Sequence, residues 1–269
     1  MLRLFKKLLN TFKFTSSLNV GFDSGGINKP VIVLLHGIAA TSKTWDHLIK
    51  DLDTEKYRVI SLDLLGFGNS PKPKKCNYDV DEHIRYIRKT LRRNRVWNID
   101  KLVGHSMGSI ISARYARYYP NEVGELYLLS LPLYLKKHHS QTIISKKRTD
   151  IYLETFKFIA NKKSFTIIAS KNLRKIFKPN DGGEVREENW QAFRLSLKNT
   201  VINQNTHDDI RHISIPINII YGIFDEVVIP ESLNILSIFE NVTITRLKNV
   251  NHLVGEKFSK YVADMIRNS

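Results

Sequence analysis

The chain has 269 residues, of which 42 are Lys or Arg and 26 are Asp or Glu, so its formal net charge is +16. Hydrophobic residues make up 42% of the chain and charged residues 25%, a balance that excludes a disordered or collagen-like chain. The longest aliphatic run, Val31–Leu35, is far shorter than the roughly 20 residues of a membrane-spanning helix, which argues against a transmembrane protein.

A basic and apolar segment comes first. Residues 1–14 contain four basic and no acidic side chains, with leucine and phenylalanine interspersed. We expect no secretory signal here, because the segment lacks a clean hydrophobic stretch and a small-residue cleavage site. One hypothesis is a basic amphipathic helix that lies on an anionic membrane. The alternatives are an ordinary docking helix and a frayed terminus.

Strands and helices alternate through most of the chain. Aliphatic runs that end in Gly, Asp or Pro predict buried strands, and periodic apolar positions predict helices. The predicted strands are residues 30–37, 57–62, 99–103, 126–129, 216–221 and 243–247. The predicted helices are one capped by Thr41 or Ser42, residues 81–95, residues 109–119, one that begins at Pro230, and residues 256–267. This alternation predicts an α/β fold with a mostly parallel sheet and helices on both faces.

Residues 133–212 interrupt that alternation. They are rich in Lys, Ser and Asn, show helical periodicity at residues 151–159, 165–177 and 190–202, and contain no convincing strand. We therefore predict a helical insertion between two sheet strands, with the core formed by residues 1–132 and 213–269.

The positive charge is concentrated in this insertion. Residues 136–178 contain twelve Lys or Arg and two acids, a local net charge of +10. Such a field could steer anionic substrates, hold the protein on an anionic membrane, or simply be a solvated basic surface. No zinc-finger, RNP or heptad pattern accompanies it, so we predict no specific nucleic-acid partner.

A short motif, GHSMG, occupies residues 104–108. The two glycines permit a tight strand-to-helix turn, and such a turn projects the serine hydroxyl out of the chain. The motif follows a predicted strand and precedes a predicted helix, which is the context that it requires. Ser106 is therefore the candidate nucleophile.

Two further residues lie where a serine nucleophile would need them. Asp225 comes just after the strand at 216–221, and His252 just after the strand at 243–247. Because catalytic groups gather beyond the carboxyl ends of parallel strands, we expect both to reach one edge of the sheet with Ser106. Glu226 stands beside Asp225 and is the alternative acid.

The sequence resembles the α/β-hydrolase superfamily, in its serine-hydrolase form with a helical cap. The resemblance covers residues 30–131 and 213–269 and rests on HGIAATSKTW, LDLLGFGNSPKP, GHSMGS and the Asp225/His252 pair. It implies that residues 133–212 form a lid over Ser106, with aromatic side chains available to line an acyl pocket. Those side chains are Phe156, Phe158, Phe165, Phe177, Trp190 and Phe193.

The resemblance also implies a role for each site residue. Ser106 would attack the substrate, His252 would take and later return the proton, and Asp225 would orient the imidazole. The N–H groups of Ile38 and Met107 would form the oxyanion hole. Ser130 occupies the superfamily's alternative acid position and offers no carboxylate.

Ester or thioester cleavage of a small hydrophobic acyl substrate is the expected reaction, without a cofactor or metal ion. Relatives that cleave carbon–halogen bonds or epoxides have an aspartate nucleophile in the turn at residues 104–108. The serine at this position disfavours those reactions. Carbon–carbon bond hydrolysis and acyl transfer use the same triad and stay open as alternatives. Relatives that cleave carbon–carbon bonds differ mainly in polar cap residues, and Arg174, Arg186 or Arg194 could serve as such a residue here. A non-catalytic protein that binds a small ligand is a further alternative.

The remaining predictions concern compartment and metal binding. Cys76 is the single cysteine, so the chain can form neither an intrachain disulfide nor a cysteine-based zinc site, and a cytoplasmic location is expected. His138 and His139 are too few for a metal site, and we expect a solvated pair. The oligomeric state stays open.

Overall fold

The computed structural model describes residues 16–135, 143–177 and 183–269. The predicted amphipathic helix at residues 1–14 and the pair His138 and His139 lie outside the described residues. None of the described helices is both long and apolar enough to cross a membrane.

Seven strands form one sheet in the order β1-β3-β2-β4-β5-β6-β7. β1 pairs with β3 in the antiparallel sense, and every other neighbouring pair is parallel. The strands are β1 (Val20–Asp23), β2 (Val31–Leu35), β3 (Arg58–Leu62), β4 (Ile99–His105), β5 (Val123–Leu129), β6 (Ile217–Phe224) and β7 (Val242–Asn251). The predicted mostly parallel sheet is confirmed.

Nine α-helices occur among the described residues. They are α1 (Asp46–Asp51), α2 (Val80–Arg93), α3 (Met107–Tyr118), α4 (Ile143–Asn161), α5 (Lys163–Phe177), α6 (Trp190–Ser196), α7 (Thr206–Arg211), α8 (Pro230–Asn234) and α9 (Glu256–Asn268). α6 continues into a π-helix at Leu197–Ile202. Shorter 3₁₀ turns lie at Ser42–Trp45, Pro120–Glu122, Glu187–Asn189 and Ile235–Ile238.

The sheet is buried on both faces, as its aliphatic strands predict. Alternate residues of β2 enter different clusters: Val31, Val33 and Leu35 pack with α2 and α3, whereas Ile32 and Leu34 pack with α1 and α9. This alternation follows from the period of two along a strand. Helices therefore cover both faces of the sheet, as predicted.

Helix α2 shows why the charge pattern predicts its position. Asp79 caps it by accepting a hydrogen bond from the N–H of Glu82 at 2.8 Å, and Arg92 and Arg93 lie in its last turn. Acids near the start and bases near the end both favour the helix dipole. The observed bounds, Val80–Arg93, differ slightly from the predicted 81–95: the aspartate cap starts the helix one residue earlier, and the positive φ of Arg95, 59°, lies outside the helical range.

β1 is not among the predicted strands. Its four residues, VGFD, are half-buried and exposed in alternation and contain no aliphatic run. The strand forms because it pairs with the edge of β3. An edge strand of this kind depends on a tertiary partner and leaves little pattern in the sequence.

The helices α4 to α7 lie between β5 and β6, and the described part of this insertion contains no strand. It packs closely on the core: a Cβ at Gly66 would lie 2.3 Å from the Cβ of Ala192. The hydroxyl of Thr200 also donates to the carbonyl of Tyr78 at 3.0 Å. The boundaries of the cap at 133 and 212 stay a prediction.

Candidate active site

Ser106 lies in a sharp turn between β4 and α3. β4 ends at His105 and α3 begins at Met107, so a single residue joins them. Ser106 has φ 53° and ψ −117°, a conformation that costs a non-glycine residue about 1–3 kcal/mol. Its N–H donates to the carbonyl of Leu129 at 2.9 Å, which anchors the turn to β5. The surrounding structure therefore holds the serine in a strained position.

The two glycines of the motif are required by close backbone packing. A Cβ at Gly104 would lie 2.4 Å from the carbonyl oxygen of Gly108. A Cβ at Gly108 would lie 2.1 Å from the carbonyl oxygen of Leu35. Both distances are far below van der Waals contact, so α3 can start this close to the sheet only without side chains at these positions.

The structure brings Ser106, His252 and Asp225 together. His252 Nε2 lies 3.2 Å from the hydroxyl oxygen of Ser106, and Nδ1 lies 2.9 Å from Oδ1 of Asp225. Asp225 directly follows β6, and His252 directly follows β7, which runs four residues further than predicted. The imidazole therefore bridges a hydroxyl and a carboxylate.

Asp225 is a buried carboxylate held by its surroundings. Its Oδ1 also accepts hydrogen bonds from the N–H groups of Val227 and Val228, at 3.0 and 3.2 Å. Burial acts to raise the pKa of Asp225, but the hydrogen bond and charge of His252 outweigh it, and the pKa is lowered to about 2. The group is therefore ionised at neutral pH. The buried hydroxyl of Ser130 also acts to lower this pKa through its interaction with the carboxylate.

The neighbouring acid, Glu226, does not share this position. Its side chain is exposed, whereas that of Asp225 is buried against His252. The backbone carbonyl of Glu226 accepts a hydrogen bond from the hydroxyl of Tyr152 on α4. Asp225 is therefore the carboxylate that contacts the imidazole.

His105 orients the loop that carries His252. Its Nε2 lies 2.8 Å from the backbone carbonyl of His252, and a carbonyl only accepts, so Nε2 carries the proton. Burial, followed by the nearby imidazole of His252, lowers the pKa of His105 to about 3. His105 is thus a neutral donor at ordinary pH. No sequence pattern around His105 predicts this bond.

His36 braces the loop that precedes α1. Its Nδ1 lies 2.7 Å from the carbonyl oxygen of Gly37, and its Nε2 accepts from the N–H of Leu64 at 2.8 Å. A Cβ at Gly37 would lie 3.2 Å from the Cβ of Ser106. This loop therefore passes directly beside the serine, and the next residue, Ile38, lines the cavity at the site.

A cavity of about 450 Å³ opens at Ser106 and His252. Its remaining walls are largely apolar and come from both the core and the insertion. The apolar lining residues are Ile38, Ala40, Pro132, Phe156, Leu197, Val201, Val227, Leu253 and Val254. Such a volume and lining suit a small ligand with an apolar portion.

Only part of the predicted cap lining reaches this cavity. Of the predicted aromatic residues whose side chains are described, Phe156 lines it, whereas Phe158 and Phe165 are exposed on the outer surface. The side chains of Phe177 and Arg174 lie outside the described residues. Arg194 is exposed and Arg186 pairs with Glu184, and neither lines the cavity.

A larger cleft of about 850 Å³ is lined by residues 39–43, in the loop that also carries Ile38. It surrounds Asp63, whose carboxylate accepts from the N–H groups of Ser42 and Asn69. It shares Ala40 with the cavity at Ser106 but is not lined by Ser106, Asp225 or His252. No group of three or more His, Cys, Asp or Glu side chains suited to a metal ion occurs within the described ranges.

Comparison with known families gives a match over most of the chain. Residues 30–256 match the family described as "alpha/beta hydrolase fold". The thioesterase domain from the curacin biosynthetic pathway superimposes with a TM-score of 0.66, at 19% identity, covering 94% of this chain and all of that domain. That structural likeness concerns the fold alone.

Two relatives illustrate the range of sequence similarity. Probable lysophospholipase BODYGUARD 5 of Arabidopsis thaliana is 32% identical over 114 residues, which are 40% of this chain and 26% of that protein. The match thus spans about a quarter of that relative's length. Lipase 1 of Psychrobacter immobilis is 23% identical over 245 residues, covering 86% of this chain and 74% of the lipase.

Proposed function

The chain belongs to the α/β-hydrolase fold family, and from that premise we propose that it is a serine hydrolase that cleaves a carboxylic ester or thioester. One observation carries the proposal: the His252 imidazole lies between the Ser106 hydroxyl and the buried Asp225 carboxylate, at 3.2 and 2.9 Å. A serine hydroxyl is too weakly acidic to attack an ester unaided, and this arrangement supplies the base that it needs.

The first half of the proposed reaction forms an acyl-enzyme. Ser106 Oγ attacks the carbonyl carbon while Nε2 of His252 takes its proton. Asp225 accepts the hydrogen bond from Nδ1–H and stabilises the imidazolium. When the tetrahedral intermediate collapses, the bond to the leaving oxygen or sulfur breaks, and His252 returns the proton to the leaving group.

The second half releases the acid. A water molecule gives a proton to His252 and attacks the acyl carbon, and the Ser106 ester bond then breaks with return of that proton to Oγ. In both halves the negative oxygen would be met by the N–H groups of Ile38 and Met107. Met107 is the first residue of α3, so its N–H has no acceptor within the helix.

The cavity supports an acyl group as the part of the substrate that is recognised. Its walls beside Ser106 are apolar, and the insertion contributes Phe156, Leu197 and Val201 to them. Relatives named as lipase and probable lysophospholipase agree with an acyl ester. We therefore propose a hydrophobic acyl ester as the substrate class.

Labelling with a fluorophosphonate tests the proposal, because this reagent phosphonylates an activated serine. We expect the chain to be labelled and Ser106→Ala to lose the label while it keeps the same circular dichroism spectrum. A folded chain that resists labelling, or a Ser106→Ala variant that labels equally, would favour a non-catalytic ligand-binding role. Turnover of p-nitrophenyl esters of graded acyl length, beside a vinylogous diketone, separates ester from carbon–carbon cleavage.

A further inference from the structure

The outer face of the α4–α5 hairpin exposes large apolar side chains. One residue, Lys162, joins the two helices. Ile151 and Phe158 of α4 are 56% and 49% exposed, and Phe165 and Ile168 of α5 are 56% and 60% exposed. Leaving this many large apolar side chains in water is unfavourable, and their grouping on one hairpin is typical of an interaction site.

These four residues form one stripe. Phe158 follows Ile151 by seven residues, or two helical turns, and Ile168 follows Phe165 by one turn. The rings of Phe158 and Phe165 meet edge to face, with centroids 5.5 Å apart, and so join the two helices at the tip. We call Ile151, Phe158, Phe165 and Ile168 the outer stripe.

The outer stripe is not part of the protein's own core. The residues of the same helices that belong to the core or pack against it are Tyr152, Leu153, Phe156, Ile159, Ala160 and Ile167. The hairpin therefore has an inner apolar face that is used in folding and an outer apolar face that is left in solvent.

The hairpin is also strongly basic. Residues 143–177 contain nine Lys or Arg and two acids, so their net charge is 9 − 2 = +7. Lys157 pairs with Glu154, and Lys163 pairs with Glu187. Lys146, Lys147 and Lys162 are exposed and pair with no acid among the described residues.

We infer that the outer stripe docks on an anionic lipid bilayer. Phenylalanine and isoleucine side chains enter the boundary between headgroups and acyl chains, while flanking lysines keep their ammonium groups at the anionic headgroups. A second copy of the chain fits poorly, because two copies of this basic hairpin would repel each other. A nucleic acid would match the charge but would leave the apolar stripe in water.

Docking of this kind would place the cavity at the bilayer. Phe156 lies on α4 between Ile151 and Phe158, and its side chain lines the cavity that contains Ser106. This step rests on the proposed function: the substrate would be an ester that partitions into the bilayer and reaches Ser106 beside the hairpin. The docking itself does not depend on catalysis.

Co-sedimentation with lipid vesicles tests the inference on the full chain. The vesicles are pure phosphatidylcholine or equal parts of phosphatidylcholine and phosphatidylserine. We expect binding to the anionic vesicles that weakens with salt, and a loss of at least about tenfold in the partition coefficient for Phe158→Ser/Phe165→Ser. The matched control is Ile238→Ser, which alters a 72% exposed apolar residue outside the insertion and should bind as the unaltered chain does.

Equal binding by the double variant would overturn the inference, because residues outside the hairpin would then carry the interaction. Binding to RNA without binding to anionic vesicles would overturn it in favour of a nucleic-acid surface. Ser106→Ala should still bind the vesicles, and the double variant should still react with a fluorophosphonate in solution. These two controls separate failure of the docking from failure of the proposed function.

Discussion

At the carboxyl end of the central strand β4, Ser106 occupies a strained backbone conformation between Gly104 and Gly108, which tolerate no side chain. We call this end of the parallel strands, with Ser106, Asp225 and His252, the sheet edge. Across the same cavity, the α4–α5 hairpin uses ordinary helical geometry and differs from a typical surface only in its exposed side chains. The first region depends on close backbone packing, and the second depends on surface chemistry. Substitutions at the sheet edge should therefore affect catalysis and stability, whereas those on the outer stripe should affect binding alone.

The largest expected effect is on turnover at the sheet edge. Ser106→Ala should lower kcat for a p-nitrophenyl ester by about 10⁶-fold, because it removes the nucleophile, and Asp225→Asn by about 10⁴-fold. Phe158→Ser/Phe165→Ser should leave turnover of a soluble ester nearly unchanged. A double variant that loses activity as severely as Ser106→Ala would break the proposed division between the two regions.

Glycine substitution should show how strongly the stability of the turn around Ser106 depends on close backbone packing. Gly108→Ala would force a Cβ to within 2.1 Å of the Leu35 carbonyl, so we expect a loss of about 3 kcal/mol or more in the free energy of unfolding. Gly255→Ala is the matched control, since a Cβ there meets nothing within 4 Å. Urea denaturation measures both, and similar stability of the two variants would contradict this account.

The buried carboxylate gives the sheet edge a pH dependence that the exposed hairpin lacks. The pKa of Asp225 is about 2 when folded and about 3.9 for an ordinary aspartate, so the stabilisation is present above pH 4 and is lost as the pH falls towards 2. The shift corresponds to about 2–3 kcal/mol. The difference in the free energy of unfolding between the unaltered chain and Asp225→Asn should therefore become smaller as the pH falls from 4 towards 2. A constant difference would show that the charge is not stabilised by folding.

The smallest expected effect lies where the two regions meet. Phe156→Ala should enlarge the cavity and shift the preferred p-nitrophenyl ester towards longer acyl chains, with a change of about tenfold in relative kcat/KM. Phe158→Ala, only two residues away but on the outer stripe, should leave the preference unchanged. An equal shift in both variants would show that the outer stripe is not separate from the cavity.

The two regions also differ in how far the sequence predicts them. Apolar runs such as Val31–Leu35 predict the buried strands, because burial on both faces leaves no polar position to interrupt them. The motif at 104–108 predicts the turn around Ser106, because only glycine fits so close to neighbouring backbone. The positions of Ser106, Asp225 and His252 could therefore be predicted from the strands that they follow.

Other features could not be predicted because tertiary contacts decide them. Phe156 and Phe158 look alike in the sequence, yet one lines the cavity and the other is exposed, since the packing of the hairpin sets the rotation of α4. The bond from His105 to the His252 carbonyl joins residues 147 positions apart. Only the folded sheet, in which β4 and β7 end on the same side, brings these two residues together.

Rapid mixing with a p-nitrophenyl ester, followed by acid quench and peptide mass mapping, tests the central claim that Ser106 attacks the substrate. We expect a burst of p-nitrophenol close to one equivalent of protein, with the mass of the acyl group on the peptide that contains Ser106. An acyl group found on a different residue, with Ser106 unmodified, would contradict it.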